Sequence, residues 1–250
     1  MSAPFRIEDS AATHVGNVRS ENEDSHLSAP QSGVWLVADG MGGHANGRYA
    51  SATIAEALEH ATIPDGIEDA CDAVAGAIHA ANATIFGKSV EVGKQMGSTF
   101  VSLIMRGTEF AVLWAGDSRA YLYRDGHLYL LTRDHTQVEA MLERGLLTLE
   151  QAVDHPMKHV LARAVGVQTH LQIDAIRDTV AARDLFLLCS DGLHSVIDDH
   201  EIAAILAEDG SDACDRLIDA CLQRGAPDNV TVALVAAREP TVLALNGAFE

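Results

Sequence analysis

The chain has 250 residues, 48% hydrophobic against 21% charged, which is ample for a sizeable core and excludes a disordered chain. Its 17 Lys and Arg against 36 Asp and Glu give a formal charge of -19, which excludes nucleic acid and anionic membrane surfaces as favourable partners. The polar start lacks a signal-peptide core and no apolar run approaches a membrane span, so we expect a cytosolic protein.

Nothing reads as an inter-domain linker, and a single domain over residues 1–237 with a tail over 238–250 is expected. Residues 11–16 suit a short strand that leads into Arg19, Glu23 and Asp24. A strand over 26–39 follows; its last part, Val34 to Ala38, lacks polar alternation, so both faces should be covered. It stops at Asp39 and breaks into the glycine-rich turn Gly40-Met41-Gly42-Gly43. A carboxylate at such a strand end is costly unless something cationic meets it, although an ordinary capping aspartate reads equally well from this window alone.

Apolar residues recur at helical spacing over 46–61, and an alanine-rich helix over 67–86 should close near Gly87. Residues 97–105 and 109–115 read as a hairpin that ends at Gly116-Asp117-Ser118-Arg119. Strands over 120–124 and 128–131 flank Asp125-Gly126, the preferred dipeptide of a tight turn. Residues 133–167 turn polar and helical and look like an inserted lobe, after which 171–176 suits a strand. The run 184–190 then repeats the earlier grammar, apolar residues followed by Asp191-Gly192. Helices over 199–207 and 212–224 precede Pro227-Asp228-Asn229 and a last strand over 230–236. Cys71, Cys189, Cys214 and Cys221 form no Cys-x-x-Cys pair and read as reduced, mostly buried thiols.

Asp39, Asp117, Asp191 and Asp228 thus all fall at turns beside apolar strands, and a sheet assembly can gather them at one rim. Carboxylates and a backbone carbonyl favour hard Mg²⁺ or Mn²⁺ over zinc. Two such ions roughly 3.5–4 Å apart can share a hydroxide aimed in line at phosphorus. A cysteine-dependent phosphatase is excluded, because the sixth residues after the four cysteines are Ala77, Ser195, Ala220 and Pro227, with no arginine. Ser118 sits before an alternating strand rather than a helix, so it is no nucleophile elbow. His155 and His159 lack the glutamate of a zinc-peptidase motif and read as solvated.

Arg19-x-x-x-Glu23-Asp24, Ala38-Asp-Gly-Met-Gly-Gly43, Gly116-Asp-Ser-Arg119, Ser190-Asp-Gly192 and Pro227-Asp-Asn229 stand in this order along the chain. Over residues 10–237 the chain therefore resembles the metal-dependent serine/threonine protein phosphatases, the type 2C or PPM family, in its compact bacterial form. The resemblance implies an α+β fold, a four-layer α-β-β-α sandwich of two central antiparallel sheets flanked by helices, with a helical flap over 133–167. It implies that Asp39 bridges two Mn²⁺ or Mg²⁺ ions, with the Gly40 carbonyl on one and Asp191 and Asp228 on the other. Glu23 and Asp24 would act through bound waters, Arg19 would hold the substrate phosphate, and Asp117 with Asp191 would form a weaker third-metal site.

Lys158 and Arg163 of the flap are candidates for substrate contact, with solvation as the alternative. Met41 stands where some members carry a general-acid histidine, and His44 is a candidate substitute, with a structural role as the alternative. Ser195 replaces an acid common in the family, which bears on third-metal affinity. The function implied is hydrolysis of phosphoserine and phosphothreonine in proteins by a monomer that opposes a bacterial serine/threonine kinase. The alternative is a phosphatase-like regulatory binding module with little turnover.

Overall fold

The computed structural model describes residues 5–43, 45–153 and 155–240. The apolar runs that stop at Asp-Gly are strands covered on both sides, and their alternation distributes side chains between separate cores. In chain order the elements are β1 (Arg6–His14), β2 (Ser25–Ala29), β3 (Val34–Ala38), β4 (Gly40–Met41), α1 (Ala45–Glu59), α2 (Ile67–Val92), β5 (Gly97–Ser98), β6 (Phe100–Arg106), β7 (Glu109–Ala115), β8 (Arg119–Arg124) and β9 (His127–Leu130). There follow α3 (Gln137–Glu143), α4 (Leu149–Val153), β10 (Asp174–Thr179), β11 (Leu185–Cys189), α5 (Asp191–His194), α6 (Asp199–Asp209), α7 (Cys214–Gln223) and β12 (Val230–Arg238).

Two five-stranded sheets run β1-β12-β11-β8-β9 and β10-β7-β6-β3-β2, and β4 pairs with β5 in a small ribbon. Neighbouring strands in these sheets are antiparallel. On β3, Trp35 and Val37 point into the space between the sheets, where they meet Phe110, Phe186 and Val235. Val34, Leu36 and Ala38 point the other way, onto Ile54 of α1 and Val74 and Ile78 of α2. The opposite sheet is covered on its outer side by α5, α6 and α7, through Leu193, Ile202, Leu206, Leu217 and Cys221. The expected four layers are therefore present. Among the described residues, no helix is long and apolar enough to cross a membrane. The four cysteines are free, with Cys189, Cys214 and Cys221 buried and Cys71 half-buried.

Four expected boundaries are corrected: the strand expected over 11–16 is β1, which starts at Arg6 and ends at His14 along its ladder to β12. The strand over 26–39 is two strands, because Pro30 opens a single 3-10 turn that Gly33 ends in the left-handed region at φ 54. Helix α2 runs past Gly87 to Val92 and ends where Gly93, at φ 65, turns its N–H back to the carbonyls of Ser89 and Val90. The strand expected over 171–176 lies at Asp174–Thr179; it is an edge strand set by its ladder to β7 rather than by apolar content. Residues 133–167 carry α3 and α4 and return to the body through the bridges Thr136↔Leu161 and Ser98↔Val165. The expected tail falls outside the described residues from 241 onward.

Candidate active site

Each of the four aspartates belongs to a strand mouth. Asp39 follows β3, Asp117 lies between β7 and β8, Asp191 opens α5 just after β11, and Asp228 precedes β12. All four line one cavity of about 290 Å³, together with Arg19, Glu23 and Gly40. This is the convergence that the sequence led us to expect.

Asp39 is fixed through its backbone. Its N–H donates to Thr99 Oγ1 at 3.1 Å, and its carbonyl accepts from the Thr99 N–H at 2.9 Å and from Ser98 Oγ at 2.8 Å. Thr99 Oγ1 also meets Ser118 Oγ at 2.6 Å, so the turn that carries Asp117 is tied to the turn that carries Asp39. The next residue must be glycine: a Cβ on Gly40 would run into the carbonyl oxygens of Gly47 and Glu23. That close approach sets the Glu23 carboxylate against Gly47 in the first turn of α1, where helix N–H groups favour negative charge.

Asp24 is buried, and its Oδ2 accepts from Ser190 Oγ at 2.9 Å and Thr231 Oγ1 at 2.7 Å. Its Oδ1 is the one buried side-chain oxygen or nitrogen among the described residues with no hydrogen-bond partner. Arg19 reaches across the cavity mouth to Asp228 at 2.6 Å, both groups being partly exposed. Asn229 holds the amino-terminal loop, donating to the carbonyls of Val15 and Glu21 at 2.8 and 3.0 Å and accepting from the Glu23 N–H at 2.8 Å. Three residues after Asp191, His194 Nε2 donates to the Asp117 carbonyl at 3.0 Å, and Ser195 ends the short helix with its N–H on the Asp191 carbonyl at 2.9 Å.

The electrostatics follow from packing acids together in a poorly solvated place. Burial, then repulsion from Asp24, Asp191, Asp117 and Asp228, raises the Asp39 carboxyl well above the usual carboxylate range. Burial likewise pushes Asp117 and Asp24 up to about 7, and burial with the Asp228 charge raises Asp191. Burial lowers His194 to about 4, which keeps its imidazole neutral and suits donation from one nitrogen only.

This donor set fits hard divalent cations, since the cavity offers carboxylate oxygens and a backbone carbonyl without thiols, and the buried Asp24, whose Oδ1 lacks a partner, is near enough to feel the charges of Asp39, Asp191 and Asp228. Yet among the described residues no three His, Cys, Asp or Glu side chains stand ready to close around one ion. Asp228 is instead turned onto Arg19, and the Asp39 and Asp191 carboxyls feel each other's charge.

The sequence missed other residues of this site. Thr99, His159 and Leu161 line the same cavity beside Met41; His159 is exposed, as expected, yet borders the site, and nothing in its local spacing marks that. Asn229, Thr231 and His194 support the aspartates and the turns that carry them, and only Asn229 lies inside one of the motifs. Of the flap candidates, Arg163 is taken by Asp174 at 2.6 Å and, among the described residues, Lys158 Nζ reaches the Val153 carbonyl at 3.4 Å; neither lines this cavity. His44 lies outside the described residues.

The Protein phosphatase 2C family profile matches residues 8–142. The chain is 35% identical over 226 residues to the serine/threonine protein phosphatase PstP of Mycobacterium tuberculosis, covering 89% of this chain but only 43% of that protein's length. It is 32% identical over 246 residues to the serine/threonine phosphatase stp of Listeria monocytogenes, covering 94% of this chain and 95% of the relative. Among solved structures, the catalytic domain of PstP in complex with 2 manganese ions superposes with a TM-score of 0.81 at 31% identity, covering 93% of this chain and 99% of that one.

Proposed function

The chain belongs to the protein phosphatase 2C family, and from that premise we propose that it hydrolyses phosphoserine and phosphothreonine in proteins with two Mn²⁺ or Mg²⁺ ions. The observation that carries the reading is the meeting of Asp39, Asp117, Asp191 and Asp228 around one cavity with Arg19 at its mouth. Asp39, the Gly40 carbonyl, Asp191 and Asp228 hold the two ions, and Asp117 with Asp191 offers a weaker third place. The ions would supply charge neutralisation and an activated water for in-line attack on phosphorus.

The chain's own residues do the rest. Arg19 spends one guanidinium nitrogen on Asp228 and keeps further N–H donors for the phosphoryl oxygens of the substrate. Glu23 and Asp24 accept hydrogen bonds from water and orient it, and Ser190 and Thr231 fix the Asp24 carboxylate for that task. Met41 and Leu161 wall the cavity against bulk solvent, and the flap over 133–167 brings Leu161 and His159 to its rim. The leaving alkoxide needs a proton donor, and His44 beside the glycine turn is our candidate. Residues 1–237 act as one domain, and the substrates are targets of a bacterial serine/threonine kinase.

The test is turnover of a small aryl phosphate and of a phosphothreonine peptide with Mn²⁺, with EDTA, and by Asp191→Asn. We expect Mn²⁺-dependent turnover that EDTA and the substitution both abolish. Turnover that ignores EDTA, or none from folded protein with Mn²⁺, would overturn the assignment.

A further inference from the structure

A second, larger cavity of about 410 Å³ opens beside the catalytic one, and Met41, Gly42 and Leu161 line both. The two hollows therefore share a wall. Their chemistry differs sharply. The catalytic cavity is crowded with carboxylates, whereas among the described residues no aspartate or glutamate lines the second, in a chain with 36 acids. Its walls are Met96, Val160, Val167 and Leu171, with Gln95, Gln137, Gln168 and His170 completing the lining. Its cation, Arg163, is neutralised by Asp174 at 2.6 Å.

We propose that this second cavity is a specificity subsite that receives an apolar side chain flanking the phosphorylated residue of the substrate protein, an inference that rests on the phosphatase reading above. The volume lies within the roughly 300–1,000 Å³ of ordinary ligand pockets and exceeds what one side chain fills. Two unbranched thioethers, Met41 and Met96, give the walls the adaptability to accept leucine, methionine or phenylalanine alike. A charged flanking residue would lose its hydration there without gaining an opposite charge, so the subsite discriminates against it. The shared Met41 couples the two hollows, because a side chain seated in the second packs on the residue that walls the first.

The experiment compares kcat/KM for phosphothreonine peptides in which leucine, alanine, glutamate or lysine is moved through the positions on either side of the phosphoresidue. At one position leucine should exceed alanine and glutamate by about 10-fold, expressed mainly in KM. Val160 is 45% exposed, so Val160→Glu should fold normally; Gln168→Glu supplies a second variant at another exposed wall residue. Both should lose the leucine preference and gain on the lysine peptide while keeping wild-type turnover of an aryl phosphate. Wild-type peptide kinetics blind to the flanking residue, or variants that keep the leucine preference, would overturn this proposal alone. Absence of wild-type turnover on the aryl phosphate would instead remove the phosphatase reading, and the subsite with it.

Discussion

Asp39 is a carboxylate set where burial and four other acids oppose its ionisation, and that opposition has a measurable consequence. A carboxyl whose folded pKa lies above its unfolded value of about 3.9 binds its proton more tightly when folded. Its stabilising contribution is complete below that unfolded value and is lost as pH rises through the folded one. Asp24 and Asp117, both near 7, with Asp39 and Asp191 also raised, place this loss between about pH 4 and 7. In EDTA, the melting temperature should therefore fall as pH is raised from 5 to 8, and Asp39→Asn should flatten that fall by removing one of the opposed charges. Mn²⁺ should raise the wild-type melting temperature most at the upper end of the range and leave Asp39→Asn nearly unmoved. An equal Mn²⁺ response in both proteins, followed by differential scanning fluorimetry, would contradict the assignment of Asp39 as a ligand. Asp24 makes a subtler case. Thr231→Val keeps the shape of the strand but removes one of the two hydroxyls on Asp24 Oδ2, and calorimetric titration should show Mn²⁺ affinity reduced roughly 10- to 100-fold with folding intact.

At the scale of elements, two helical glycines do opposite work. Gly192 in α5 faces the Asn229 carbonyl so closely that a Cβ would overlap it, so Gly192→Ala must push apart the turns that carry Asp191 and Asp228. Gly87 has open space where its Cβ would stand and lies inside α2, so Gly87→Ala should stabilise the protein by about 0.5–1 kcal/mol in urea denaturation, whereas Gly192→Ala should cost about 1–3 kcal/mol. Had the helix closed at Gly87, the first sign would be reversed. This pair shows what the sequence displays and what it hides. The strand ends at Asp39 and Asp191 were readable because an apolar run stops abruptly at Asp-Gly, which is a local signal. The end of α2 was not, since a glycine in a helix interior and one at a helix end look alike without knowledge of what packs there. Strand β10 was misplaced by three residues because its Arg177-Asp178-Thr179 half faces solvent at a sheet edge and owes its extended form to pairing with Phe110 and Glu109. The same reason hid His159 and Leu161, which reach the site only because the chain between α4 and β10 folds back over it.

For the whole molecule, the two sheets each contribute part of one acidic hollow. Asp39 ends a strand of one sheet, Asp191 and Asp228 flank strands of the other, and Asp117 lies where the chain crosses between them. The buried layer of Trp35, Phe110 and Phe186 between the sheets therefore sets the spacing of the acids. The cavity's negative charge sits within a chain whose formal charge is already -19, so the long-range field repels phosphate and attracts cations. Ions bound in the cavity reverse the field only locally, within about a Debye length, roughly 8–10 Å at physiological salt. Beyond that distance the surface still favours basic peptides. The specificity constant for a phosphopeptide bearing several lysines or arginines away from the phosphoresidue should then fall by about 10-fold or more as NaCl is raised from about 20 to 300 mM, within the range expected of electrostatic steering. A peptide of the same length with glutamates there should show the opposite trend, because salt screens its repulsion. Equal salt dependence for the two peptides, at saturating Mn²⁺, would mean that the acidic surface plays no part in substrate capture.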